Sequence, residues 1–139
     1  MKGLVFMLFV FVQVICIQLN GQALTDTEFV GIWNVSEVHT SPVEMTEEQK
    51  QTMEVLKSAF LKSEFHFKEN KDFVFDFEFG EVSVDDGYWK FDNSSSSFTI
   101  RKRNNNEGVL MIIKAKKESG KIFFELAESP FSLEMKKVK

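Results

Sequence analysis

The run Asp72-Phe73-Val74-Phe75-Asp76-Phe77-Glu78-Phe79 constrains this chain more than any other segment. Four phenylalanines take alternate positions, while Asp72, Asp76 and Glu78 dominate the positions between them. A period of two belongs to a β-strand, whose successive side chains point to opposite faces. The strand therefore has one wet acidic face and one dry face of rings that must be buried. Ser63 to Phe67 repeats the pattern, with Phe65 and Phe67 opposed to Glu64, His66 and Lys68. Glu69-Asn70-Lys71 between the two runs reads as a hairpin turn.

Further strands follow at regular spacing. Gly87 to Asp92 is separated from Ser97 to Arg103 by an Asp/Asn/Ser turn, and Asn104 to Gly108 closes the latter. Val109 to Ala115 and Lys121 to Ala127 flank a loop at Lys116 to Gly120, and Ser129-Pro130 turns the chain into Phe131 to Val138. With an opening strand at Phe29 to His39, these make eight strands joined by short connections. The expected fold class is all-β, an eight-stranded antiparallel up-and-down barrel. One segment departs from the pattern. Thr46-Glu47-Glu48-Gln49 matches the capping box, and Met53, Leu56, Ala59 and Phe60 follow at helical spacing. A helix from Glu47 to Lys62 is thus expected between strands 1 and 2.

Residues 1–22 have the form of a cleavable signal peptide. Lys2 supplies a positive start, Leu4 to Val12 is apolar throughout, and small residues stand at Gly21 and Ala23. The apolar stretch is shorter than the ~20 residues needed to span a membrane. Cleavage would give a secreted or periplasmic protein whose single domain covers residues 24–139. Cys16 raises the alternative of a lipoprotein anchor, but bulky Ile15 before it and the apolar run after it argue against acylation. Removing the leader discards the single cysteine, so the exported chain would have no disulfide, thiolate metal site or cysteine nucleophile. About 117 residues can still bury well over half of their unfolded surface. Taking Lys2 from the 17 basic residues leaves 16 against 21 acidic ones, a net charge of −5 that disfavours a nucleic-acid partner.

Phe29-Val30-Gly31-Ile32-Trp33, placed just after the leader, resembles the Gly-x-Trp opening of the calycin superfamily. The layout that follows resembles the lipocalin-like domains of secreted bacterial proteins. It comprises the Met-Thr-Glu-Glu-Gln helix, the Phe-rich hairpin and Gly87-Tyr88-Trp89-Lys90-Phe91-Asp92. The resemblance implies a close backbone approach at Gly31 and a plug at the closed barrel end by Trp33, both structural. It also implies a small apolar ligand, lipids included, held inside the barrel. Several family features are missing. The loop at Lys116 to Gly120 has no Thr-Asp-Tyr turn. The last strand offers Lys136 or Lys137 where many lipocalins have arginine over the tryptophan. No Arg-x-Tyr pair is present to grip a carboxylate.

The ligand-lining candidates are Phe60, Phe65, Phe67, Phe73, Phe75, Phe77, Phe79 and Trp89. Lining and plain core draw on the same residue types, so a ligand cavity and a filled interior both stand open. The filled alternative is a module that meets a protein or glycan at the cell envelope. No catalytic residue and no cofactor is expected. Asp85-Asp86 before Gly87 reads as turn chemistry. Arg101 and Arg103 share one strand face, read as a solvated one, with an anion contact at the barrel mouth as the alternative. His39 and His66 have no close second ligand in sequence, so no metal site is expected.

Overall fold

The computed structural model describes residues 24–77, 83–103 and 108–139. The expected signal peptide at residues 1–22, with Cys16, and also Glu78, Phe79 and Asn104 to Glu107, lie outside the described residues. The chain forms a closed barrel of eight antiparallel strands in sequence order, β8 pairing back onto β1. The strands are β1 (Gly31–Thr40), β2 (Glu64–Phe67), β3 (Asp72–Asp76), β4 (Ser83–Asp92), β5 (Ser97–Lys102), β6 (Val109–Glu118), β7 (Lys121–Leu126) and β8 (Phe131–Lys137). A single helical turn, α1 (Asp26–Phe29), precedes β1, and α2 (Glu47–Leu61) lies between β1 and β2. No described helix is long and apolar enough to cross a membrane.

Local chemistry accounts for these elements. Thr46 accepts from the Gln49 N–H at 3.2 Å, and the Gln49 side chain accepts from the Thr46 N–H at 3.0 Å, so both halves of the capping box start α2. At the β2–β3 turn, Lys71 adopts a positive φ of 77° and the Asn70 side chain accepts from the Asp72 N–H at 3.0 Å. That turn puts Phe65 opposite Phe75 and Phe67 opposite Phe73, with all four rings facing inward.

Four details differ from the sequence expectation. Phe29 ends α1 and the first strand starts at Gly31, because Asp26 to Phe29 is too short to show a helical period. Asp85 and Asp86 lie inside β4, where the register slips between Phe73–Gly87 and Phe75–Val84; an outward bulge absorbs both carboxylates. The loop expected at Lys116 to Gly120 shrinks to Ser119-Gly120, both at positive φ, and β6 runs on to Glu118. Finally, β1 carries a bulge at Ser36. Val35 pairs with Met135 and Glu37 with Glu134, so the buried phase changes from Trp33 and Val35 to Val38.

The barrel closes near the chain ends. Gly31 has a φ of 140°, and a Cβ there would collide with the Lys139 carbonyl oxygen. The Ile32 N–H donates to that oxygen at 3.0 Å, and the Val138 N–H donates to the Ile32 carbonyl at 2.8 Å. Only glycine gives the backbone both this conformation and this approach.

Candidate functional site

The barrel interior is a continuous stack of aromatic rings. At the closed end, α1 turns Phe29 inward, edge-on to Phe98 at 4.6 Å and tilted against Phe91 at 5.2 Å. Trp33 lies beside Phe29 and Phe124, and its indole N–H donates to the Phe29 carbonyl at 2.9 Å. Lys137 stands 5.9 Å from the Trp33 ring and donates to the Glu28 carbonyl, so a lysine caps this tryptophan. Trp89 packs edge-on to Phe67 at 5.5 Å and donates its indole N–H to the Lys68 carbonyl. Over the Trp89 face sits the Lys71 ammonium, 3.9 Å from the centroid and 2.9 Å from the Asp26 carboxylate. The hydrogen bond from Lys71 holds the Asp26 carboxyl below its ordinary range. A cation thus fastens α1 to the β2–β3 turn.

The middle layer holds Phe65, Phe73, Phe98, Phe124, Ile100, Ile113 and Leu133, all at 0 % exposure. Phe29 and Phe67 share that value. Zero exposure excludes a water-sized space touching these side chains, whether open to solvent or enclosed. Phe65 stacks on its cross-strand partner Phe75 at 4.5 Å and meets Phe124 edge-on at 5.7 Å. At the other end α2 acts as a stopper. Ala59 and Phe60, in its last turn, are its buried residues, and Phe60 touches Phe77 at 4.7 Å and Phe131 at 5.0 Å. The Ser63 hydroxyl donates to the Phe60 carbonyl at 2.6 Å and fixes the chain leaving the helix.

Of the expected lining residues, Phe60, Phe65, Phe67, Phe73, Phe75, Phe77 and Trp89 are all buried in this one cluster, while Phe79 lies outside the described residues. Sequence reasoning did not place Phe29, Phe98, Phe124 and Phe131 among the lining residues, although all four are buried in the same cluster. Phe98 with Ile100, and Phe131 with Leu133, carry the same two-residue alternation that marks Phe73 to Phe77.

Open depressions lie on the outside. A cleft of about 440 Å³ runs between α2 and the segment before it, with Val43, Met45, Met53 and Leu56 as apolar walls. Glu44, Glu48, Gln49 and Thr52 edge it. Arg101 faces outward opposite Tyr88, in a shallow basin with Lys90 and Thr99. Arg103 instead pairs with Asp72. His66 is half-buried on the outer face. His39 is not isolated, as its sequence neighbourhood suggested: the Ser36 bulge and the β1–β8 pairing set Glu37 and Glu134 beside it. No family model, curated protein or solved structure matches the chain.

Proposed function

We propose that this chain is a non-enzymatic, exported binding module, a filled barrel that meets a protein partner through its outer surface. The observation that carries the reading is the zero exposure of Phe29, Phe65, Phe67, Phe73, Phe98 and Phe124, which leaves no water-sized space against these six rings. The rings then serve as scaffold. Val109, Leu110 and Ile112 of β6 are exposed, forming an apolar ridge on the outer wall that suits a protein contact. The leader at residues 1–22 supports export to the periplasm or beyond. The closed eight-strand meander with its early helix supports kinship with lipocalin-like domains.

One observation favours a second reading, a small apolar ligand taken up beside α2. The cleft of about 440 Å³ lies against Met53 and Leu56, in the size range of small-molecule sites, next to the Phe60 stopper. Solvent extraction of the purified protein with mass spectrometry, and titration with an apolar fluorescent dye, separate the two. The filled-barrel reading expects no extracted lipid and no saturable dye uptake. One equivalent of bound dye, lost in Met53→Glu, would establish the cleft and displace the first reading.

A further inference from the structure

The outer wall holds a group of side chains that neither reading uses. The Ser36 bulge makes two consecutive β1 residues, Ser36 and Glu37, point outward, and two positions on His39 shares that face. Glu37 then stands directly across from Glu134 of β8. Like charges placed opposite each other in a sheet repel, and a cation between them removes the penalty. Glu134 is unusual for an outward carboxylate, with only 8 % exposure. Ser36 Oγ lies 3.4 Å from one of its oxygens and Lys121 Nζ 2.8 Å from the other. His39 Nε2 lies 3.9 Å from a Glu37 oxygen.

One ligating atom from each of Glu37, His39 and Glu134 lies within 4.8 Å of the other two. Around tetrahedral zinc, ligating atoms stand about 3.4 Å apart at bond lengths near 2.1 Å. Closing that gap asks for small rotations of Glu37 and His39, whose side chains are 62 % and 48 % exposed, the His39 ring turning beside Phe123 at 6.0 Å. Buried Glu134 would supply the fixed ligand. The donor set is one imidazole nitrogen and two carboxylate oxygens converging from a single face, with positions left open to water. Such a set suits zinc and its transition-metal neighbours, whereas calcium and magnesium favour all-oxygen sites. Lys121 is the resident competitor. Its side chain is 62 % exposed, so the ammonium can leave for solvent when a dication takes over its charge.

We propose that Glu37, His39 and Glu134 form a binding site for a zinc-class divalent cation on the outside of the barrel, built by the bulge at Ser36. The test is competition of the purified protein with a chromophoric chelator for zinc at neutral pH, alongside Glu37→Gln, His39→Ala, Lys121→Met and the control His66→Ala. One zinc per chain is expected, weakened at least tenfold in Glu37→Gln and His39→Ala and unchanged in His66→Ala. Lys121→Met should bind as tightly as the parent or more so, and excess magnesium should not compete. No stoichiometric uptake, or equal affinity in the parent, Glu37→Gln and His39→Ala, overturns the proposal. Both decisive substitutions are at exposed positions, so a folding defect does not blur the result.

Discussion

Phe124→Ala is the most searching perturbation of the filled interior. The ring has no exposure, and its centroid lies 5.7 to 6.3 Å from those of Phe29, Trp33, Phe65, Phe67 and Phe98. Truncating a buried phenylalanine to alanine costs about 3–5 kcal/mol, the upper values arising where neighbours cannot close the hole. Here the wall is a sheet hydrogen-bonded around its full circumference, so it cannot move inward. Edge-on contacts to Phe65 and Phe67 add about 0.5–1.5 kcal/mol each beyond area burial. The expected loss is therefore about 5 kcal/mol, a large share of the ~5–15 kcal/mol that holds a domain folded. At roughly 4 °C per kcal/mol the midpoint of thermal unfolding should fall by about 20 °C. Urea unfolding followed by tryptophan fluorescence and far-UV circular dichroism measures the loss, with Phe124→Leu as a milder companion that keeps most of the volume. The same hole should admit benzene, which then raises the melting temperature of Phe124→Ala and leaves the parent unmoved. A loss under about 2 kcal/mol, or benzene stabilising the parent equally, would refute the claim that the interior is solid.

Other outcomes follow from single sites. Gly31→Ala should cost at least about 1–3 kcal/mol from its positive φ, with the Lys139 collision adding to it, and should speed amide exchange at Ile32 and Val138. Thr46→Ala removes the capping box and should cost about 1 kcal/mol in urea unfolding, with fraying at the start of α2 seen as lost helical ellipticity. The hydrogen bond from Lys121 holds Glu134 below the ordinary glutamate value of 4.5, against the opposing effect of burial. A depressed carboxyl stabilises the fold above 4.5 and loses that contribution as pH falls through its lower folded value. Urea midpoints followed from pH 6 downward should therefore decline less steeply in Glu134→Gln than in the parent; parallel curves would count against this. On the alkaline side, Glu134 raises Lys121 above its ordinary 10.5, so that contribution is full below 10.5 and lost above it.

What the sequence discloses depends on how local the physics is. The Phe65 to Phe77 hairpin and the α2 cap are short-range patterns, and the observed strands and capping box follow them closely. The bulge at Ser36 was also written locally, as a change of phase from Trp33 and Val35 to Val38, but a regular strand template passes over it. Asp85 and Asp86 misled for a related reason: two aspartates before a glycine favour a turn, yet a bulge in a long strand accommodates them equally well. The Glu37, His39 and Glu134 group was hidden altogether. It depends on β8 pairing with β1, and no spacing rule joins residues at opposite ends of a chain.

The seam between β1 and β8 also sets the order of events in the protein's life. Residues 31–40 can find their second partner only when residues 131–137 exist, so the most distant pairing in the chain is the one that closes the wall. Such non-local closure slows folding, because the loop entropy is lost before the contact repays it. Any chain that stops short of Phe131 leaves β1 and β7 as open edges and the ring stack uncovered. A molecule built this way keeps its wall open until its last described strand is available.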